Sequence, residues 1–143
     1  MIVADTGAVL ALYDADEEHH GALRALFEAG PHRWLLPWAT LPEIDYLLGS
    51  QLGPRAEETF LADLADGTFA VEWGREEDLP SAKRICAKYR SLRLGLVDAV
   101  VIAVAERLKA EAIATLDFRH FGAVAIRGNP PLFPRDELRV PRR

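Results

Sequence analysis

The sequence predicts a three-layer α/β domain built around a short, mostly parallel sheet. Short apolar runs, such as Ile2–Ala4 and residues 112–115, alternate along the chain with longer stretches of helical periodicity. One of these stretches, residues 96–108, is apolar on nearly every side, so we expect a buried helix there. Strands separated by helices are typical of domains whose parallel sheet is covered on both faces.

Each predicted strand is a short apolar run that a turn residue or an acid ends. Asp5 ends the first run, Pro37 closes the second and Asp117 follows the fourth. The predicted strands are residues 2–4, 34–36, 69–73, 112–115 and 123–126.

The predicted helices fill the stretches between the strands and stop at Gly-Pro pairs or similar breakers. An acidic turn, residues 14–18, is expected to cap the second helix, which ends at Gly30-Pro31. The other predicted helices are residues 8–13, 41–52, 55–65, 76–90 and 96–108. Their expected inward-facing residues are Ile44, Leu47, Leu48 and Leu52 in one, and Phe60, Leu61 and Leu64 in the next.

The end of the chain is expected to be extended and irregular from about residue 127. Four of the nine prolines lie there, at positions 130, 131, 134 and 141. The sequence contains no repeat, linker or low-complexity block, so we expect residues 1–143 to form a single domain.

Composition excludes several classes of protein. The single cysteine, Cys86, permits no internal disulfide and favours a reducing compartment. The N-terminus lacks the basic flank of a signal peptide, and no apolar run approaches the ~20 residues of a membrane span. We therefore expect a cytoplasmic protein without a membrane partner.

The net charge of −5 conceals an uneven distribution. Residues 1–80 contain sixteen acidic and four basic side chains, whereas residues 81–143 contain six and thirteen. Residues 81–97 have no acid at all. This basic run is either a solvated helix face or a binding surface for a polyanion. Its cations are Lys83, Arg84, Lys88, Arg90 and Arg93.

Three aspartates stand where chemistry is often placed in α/β proteins. Asp5 and Asp117 each follow a predicted strand, and carboxyl ends of parallel strands meet at one edge of a sheet. Asp98 lies in the first turn of the buried helix, where a carboxylate is costly without a cation or hydrogen bonds. Each aspartate also has a simpler interpretation, as a turn-forming or helix-capping residue.

The helix predicted over residues 41–52 adds Glu43 and Asp45. These two acids fall on opposite flanks of the apolar face centred on Ile44 and Leu48, so only one can face a given site. Periodicity does not decide between them.

Several carboxylates at one sheet edge would repel each other unless a divalent cation neutralised them. Oxygen-only ligands favour Mg²⁺ or Mn²⁺ over zinc. The four histidines show no ligand spacing, and each is expected to be structural or exposed. The sequence also lacks a phosphate-binding glycine loop and a G-x-S-x-G nucleophile motif.

Taken in order, these pieces resemble the PIN domain, and within it the VapC-type toxin ribonucleases of toxin–antitoxin pairs. The order and spacing of the pieces carry the resemblance, which covers essentially the whole chain. The matching segments are IVADTG from Ile2, PEI from Pro42, LVDA from Leu96, ATLD from Ala114 and FRHF from Phe118.

The resemblance implies a metal-dependent endoribonuclease that hydrolyses RNA phosphodiester bonds with Mg²⁺ or Mn²⁺. It selects Glu43 over Asp45 and leaves the roles of Arg119 and His120 open. It also implies a homodimer that a VapB-type antitoxin neutralises. The implied metal and catalytic residues are Asp5, Glu43, Asp98 and Asp117, with Thr6 and Thr115 supporting them.

Two surfaces follow from this resemblance. The basic run, together with the arginine-rich tail, would bind the RNA backbone. Apolar residues beside the acids of the early helices would accept an amphipathic antitoxin helix. The residues expected to form that second surface are Leu10, Leu12, Tyr13, Tyr46 and Leu47.

Three alternative functions are compatible with parts of this pattern. A phosphatase of the haloacid dehalogenase type needs a second aspartate two residues after Asp5, but that position is Gly7. A catalytically inert domain of the same fold would only bind RNA or protein, and would not need all four acids. A housekeeping nuclease would share the site without acting as a toxin.

Overall fold

The first strand, β1 (Ile2–Ala4), lies at the centre of a five-stranded sheet in the computed structural model, which describes residues 1–138. The strand order is β3-β2-β1-β4-β5, and every neighbouring pair is parallel. The predicted parallel α/β fold is therefore confirmed. The other strands are β2 (Trp34–Pro37), β3 (Ala70–Glu72), β4 (Ala112–Ala114) and β5 (Leu132–Phe133).

Two helical layers cover the sheet because its central strands are apolar on both faces. Ile2 and Ala4 of β1 pack against the first four helices, while Val3 points to the opposite layer. The first layer contains α1 (Thr6–Tyr13), α2 (His20–Ala29), α3 (Leu41–Gln51) and α4 (Pro54–Ala65). The second contains α5 (Asp78–Lys88), α6 (Leu96–Arg107) and α7 (Phe118–Ala123).

The helix α6 is the most deeply buried helix of the second layer, as its composition predicts. Every residue from 99 to 105 is buried. α6 packs on Val3 and Ile113 from the sheet, and α5 packs on α6. Its first turn, which contains Asp98, is therefore held firmly by the core behind it.

The fifth strand is not where the sequence predicted it. Residues 123–126 form no strand, since α7 extends to Ala123 and the Ile126 N–H is donated to the Val124 carbonyl within a tight turn. The free edge of β4 is instead paired by β5, which lies in the stretch expected to be irregular. A strand between prolines is tolerated there because β5 is at the edge of the sheet. Residues 139–143 of the predicted tail lie outside the described part of the chain.

Four smaller expectations are also corrected. Leu61 is exposed because the buried face of α4 is centred on Phe60, one residue or 100° away. Leu52 lies beyond the end of α3 and is exposed as well. The acidic turn before α2 bonds its own backbone, with Glu17 accepting from the His19 N–H, and makes no side-chain cap. The edge strand β3 is shorter than predicted and leaves Trp73 exposed.

A partly buried ion-pair cluster joins the ends of α5 and α6. The Arg107 guanidinium donates to both carboxylate oxygens of Asp78 at 2.8 and 2.9 Å, and to Glu72 Oε1 at 2.9 Å. Asp78 is also an acceptor for the Arg75 N–H. Burial tends to raise the pKa of Asp78, but these hydrogen bonds and the arginine charge hold it below its usual value. The cluster ties the edge strand β3 to both helices.

No helix within residues 1–138 combines the length and apolar character that crossing a bilayer would require.

Candidate active site

The carboxyl ends of β1 and β4 lie side by side at the centre of the sheet. The chain leaves β1 toward β2 on one side, whereas β4 and β5 lie on the other. Such a switch point is where open α/β sheets form their binding crevices. Asp5 follows β1 directly, and Asp117 follows β4 after Thr115 and Leu116.

A single threonine connects these two strand ends. The Thr115 hydroxyl donates to Asp5 Oδ2 at 3.0 Å and accepts the Asp117 N–H at 3.0 Å. The Asp5 N–H in turn donates to the carbonyl of Ala114 at 2.8 Å. Because Thr115 is fully buried, it fixes the position of one carboxylate and of the backbone that carries the other.

Asp117 also begins the short helix α7. Its Oδ1 accepts the His120 N–H at 3.0 Å, the bond of a helix N-cap. This bond turns the His120 ring toward the carboxylates, with Nδ1 2.9 Å from Asp117 Oδ2 and 3.3 Å from Asp98 Oδ2. Asp117 therefore caps a helix, as its simpler interpretation expected, and also faces the other acids.

The two remaining acids come from opposite layers. Asp98 projects from the first turn of α6, and Glu43 from the first turn of α3. With the strand-end aspartates they line one open cleft of about 450 Å³. The other lining residues are Thr6, Gly7, Leu10, Leu47 and Leu116.

Asp45 points elsewhere. It lies against Glu57 of α4, and its charge raises the pKa of that carboxyl group. Asp45 is not among the residues that line the cleft. Of the two acids that periodicity left open, Glu43 is the one on the cleft side of α3.

Ionising the carboxyl groups of Asp5 and Asp98 in this cleft is energetically unfavourable. Burial, followed by the charge of Asp98 and then that of Glu43, raises the pKa of Asp5 to about 7. Burial and the charge of Asp117 raise the pKa of Asp98, although His120 partly opposes this. A bound cation would relieve both carboxylates.

The donor atoms around the cleft suit a small divalent cation. The donor atoms of Asp98, Asp117 and His120 all lie within 4.8 Å of one another. The Thr6 hydroxyl is buried in the same cleft and has no hydrogen-bond partner among residues 1–138. A hydrated metal ion would satisfy these carboxylate and hydroxyl oxygens, since no lysine or arginine of the described residues lines the cleft.

We expect Asp5→Asn to stabilise the metal-free protein at neutral pH. Because the folded-state pKa of Asp5 is raised from 3.8 to about 7, its contribution to the free energy of unfolding falls as pH rises between these values. The variant should therefore gain a few kcal/mol at pH 8 and almost nothing at pH 4. Urea unfolding in EDTA at both pH values measures this, and an equal effect at both would contradict it.

The basic run lies on the outer helix of the second layer and on the turn that follows it. Lys83, Arg84 and Lys88 project from α5, and Arg90 and Arg93 follow just before α6. All five are exposed, and within residues 1–138 none forms a salt bridge with an acid. The end of the run thus leads directly into the helix that carries Asp98.

His120 lies beside the cleft acids, and the sequence left open whether it takes part in the site. It was expected to be structural or exposed, yet its ring contacts two of the four acids. The sequence did place His120 three residues after Asp117. This is the usual spacing between an N-cap residue and the helical residue whose N–H the cap side chain accepts. In a helix of only six residues this spacing carries little periodicity.

Comparison with known proteins agrees with this geometry. The family model of the PIN domain matches residues 2–127. The chain is 32% identical over 123 residues to Ribonuclease VapC26 of Mycobacterium tuberculosis, covering 86% of this chain and 91% of that protein.

Two solved structures share the fold at lower identity. One is VapC20 of M. tuberculosis, described as a sarcin-ricin loop cleaving toxin, with a TM-score of 0.77 and 23% identity over 92% of this chain and all of that one. The other is a toxin-antitoxin complex from Klebsiella pneumoniae, with a TM-score of 0.67 and 17% identity over 87% and 93% of the two chains. The family match covers most of the sequence and includes all four cleft acids. The chain therefore belongs to the PIN domain family.

Proposed function

We propose that this chain is a VapC-type toxin, an endoribonuclease that depends on Mg²⁺ or Mn²⁺ and is neutralised by a cognate antitoxin. The observation that carries the proposal is the cleft itself, which four carboxylates line at the switch point of a parallel sheet. The likeness to Ribonuclease VapC26 supports RNA as the substrate. A bound divalent cation would hold the scissile phosphate and lower the pKa of the attacking water.

The positions of the cleft residues suggest which of them would bind the cation and which would position the others. Asp5 and Asp98 would hold the cation directly, since burial and neighbouring charge raise the pKa of both and a cation would relieve them. Asp117 would complete the ligand set, and Glu43, on the opposite wall, would orient the water. Thr115 would keep Asp5 in place through its hydrogen bond, and Thr6 would bond a water in the cleft.

The RNA backbone would run along the basic run, defined by Lys83, Arg84, Lys88, Arg90 and Arg93. These exposed cations form no salt bridge with an acid of residues 1–138, which supports this assignment, because cations not engaged by carboxylates can neutralise phosphates. The part of the tail that contains Arg139, Arg142 and Arg143 lies outside the described residues.

Lys88→Ala and Arg90→Ala should each weaken RNA binding and reduce its salt dependence. Each removes one phosphate contact, so the slope of log affinity against log salt should fall by about 0.7. Binding is measured with single-stranded RNA at several salt concentrations, with cleavage blocked by Asp98→Asn. Arg55→Ala on α4, which removes an exposed cation outside the run, is the control. Unchanged slopes for Lys88→Ala and Arg90→Ala would show that the run is only a solvated face.

The antitoxin would cover the cleft and the surface beside it. Leu10 and Leu47 line the cleft next to the acids, and Tyr46 of α3 is 71% exposed. An amphipathic helix could bury these residues and place an Arg or Lys on the carboxylates. Leu12 and Tyr13 line a separate depression with Phe27 and Phe69. An antitoxin helix seated on the cleft would therefore contact Leu10, Tyr46 and Leu47 before these two residues. The fold shared with the Klebsiella pneumoniae toxin-antitoxin complex supports such a partner.

Expression of the chain alone should slow growth, and co-expression with the neighbouring gene should restore growth and yield a complex that co-purifies. An Asp98→Asn variant should be harmless in the same assay, because it lacks cleavage. If the wild-type chain is harmless alone while the purified protein cuts RNA, it is a housekeeping nuclease. The homodimer and the cytoplasmic location stay predictions.

A further inference from the structure

His120 gives the acidic cleft a nitrogen donor that the four-acid description lacks. Its Nδ1 lies 2.9 Å from Asp117 Oδ2 and 3.3 Å from Asp98 Oδ2. Two ligands on neighbouring corners of an octahedron, each about 2.1 Å from the ion, are themselves roughly 3 Å apart. His120 Nδ1 therefore lies at the separation from each carboxylate oxygen that neighbouring ligands of one ion would have, and all three donor atoms lie within 4.8 Å of one another.

The ring is held in this orientation by local structure. The His120 N–H donates to Asp117 Oδ1, which fixes the first turn of α7 against the strand end. Phe121, the next residue, is buried in the core and anchors the same turn. The side chains of Asp98, Asp117 and His120 remain 20–37% exposed, so an ion can reach them from solvent. Ligands that are pre-oriented and accessible favour binding.

A separate observation also indicates that the cleft takes a polar ligand. Only 4% of Thr6 is exposed to solvent. Its buried hydroxyl has no hydrogen-bond partner among residues 1–138. Thr6 lines the cleft together with Asp98 and Asp117. A water molecule on a bound ion would give this hydroxyl a partner.

We propose that Asp98, Asp117 and His120 form a mixed nitrogen–oxygen metal position that makes this site prefer a transition-metal ion such as Mn²⁺ to Mg²⁺. Imidazole nitrogen is a poor ligand for Mg²⁺, which binds almost entirely through oxygen. First-row transition ions accept imidazole and carboxylate together. The inference rests on the metal site of the proposed function, but not on RNA cleavage.

The test compares metal binding by the wild-type chain and by His120→Asn, which puts an amide oxygen near the position of Nδ1. Calorimetric titration should show that wild-type protein binds Mn²⁺ at least about tenfold more tightly than Mg²⁺. His120→Asn should lose most of that preference, with Mg²⁺ affinity nearly unchanged. His32→Asn, an exposed histidine outside the cleft, is the matched control and should bind both ions like wild type.

A spectroscopic measurement separates a ligand from a residue that only orients the acids. Electron spin-echo modulation of Mn²⁺ bound to the wild-type protein should show a directly coordinated imidazole nitrogen, which His120→Asn should abolish. Absence of that nitrogen signal, or an equal loss of Mn²⁺ and Mg²⁺ affinity in His120→Asn, would overturn the proposal. The wild-type spectrum decides even if the variant fails to fold.

The same measurements distinguish this proposal from the proposed function. Nitrogen-coordinated Mn²⁺ on a protein that cuts no RNA would refute the nuclease and support the metal position. If RNA cleavage depends on metal but His120→Asn leaves the preference for Mn²⁺ over Mg²⁺ unchanged, the nuclease is supported and the mixed metal position is refuted.

Discussion

Asp98→Asn is expected to reduce RNA cleavage by at least about a hundredfold while the protein stays folded. Asp98 contacts His120, as Asp117 also does, and the charge of Asp98 is the largest electrostatic contribution to the raised pKa of Asp5. Asparagine keeps the shape and the acceptor oxygen but removes the charge that would hold a cation. Cleavage rates in saturating Mn²⁺ measure the loss.

Thermal unfolding in EDTA supplies the second half of this test. Because burial and neighbouring charge raise the pKa of Asp98, the uncharged variant should melt at the same temperature as wild type or higher at neutral pH. Asp45→Asn is the matched control, since it makes the same substitution outside the cleft and should cut RNA normally. An Asp98→Asn protein that cuts at the wild-type rate would refute the assigned site.

The largest effect on stability is expected from Arg107→Met. The substitution keeps much of the apolar stem but leaves the nearly inaccessible Asp78 carboxylate without its bidentate partner. Removing one member of a fully buried ion pair costs about 3–5 kcal/mol, and for this partly buried pair we expect the lower end of that range. Chemical unfolding at pH 7 should show a loss of that size.

Two comparisons check the cause of this loss. Arg24→Ala breaks an exposed pair with Glu28 on α2 and should change the free energy of unfolding by less than about 0.5 kcal/mol. The lowered pKa of Asp78 means that its stabilising contribution is present above about pH 4 and is lost as pH falls through the lowered pKa. The penalty of Arg107→Met should therefore shrink in acid, and a penalty independent of pH would point to lost packing instead.

The sequence was most informative where apolar runs end at acids. Asp5 and Asp117 were predicted to meet because both follow buried runs, and the parallel register of β1 and β4 brings them to one edge. Asp98 was noticeable because a carboxylate interrupted an otherwise apolar helix. In each case burial and charge conflicted locally, and such conflicts are often found at functional sites.

Local pattern was insufficient where the outcome depends on tertiary contacts. Glu43 and Asp45 flank the same apolar face, so only the packing of α4, which brings Glu57 against Asp45, separates them. The two-residue strand β5 forms because β4 has a free edge, although prolines surround it. The role of His120 stayed open because a six-residue helix is too short for periodicity to show which side chains it directs toward the acids.

The most direct test of the account is RNA cleavage by the purified chain, free of any antitoxin, with Mg²⁺ or Mn²⁺ and with EDTA. Four carboxylates converge in a cleft that no lysine or arginine of residues 1–138 lines, so we predict that total RNA is cut when metal is present. The RNA should stay intact in EDTA, and cleavage should return when excess Mn²⁺ is restored. Cleavage that continues unchanged in EDTA would contradict the central claim that these acids act through a bound metal.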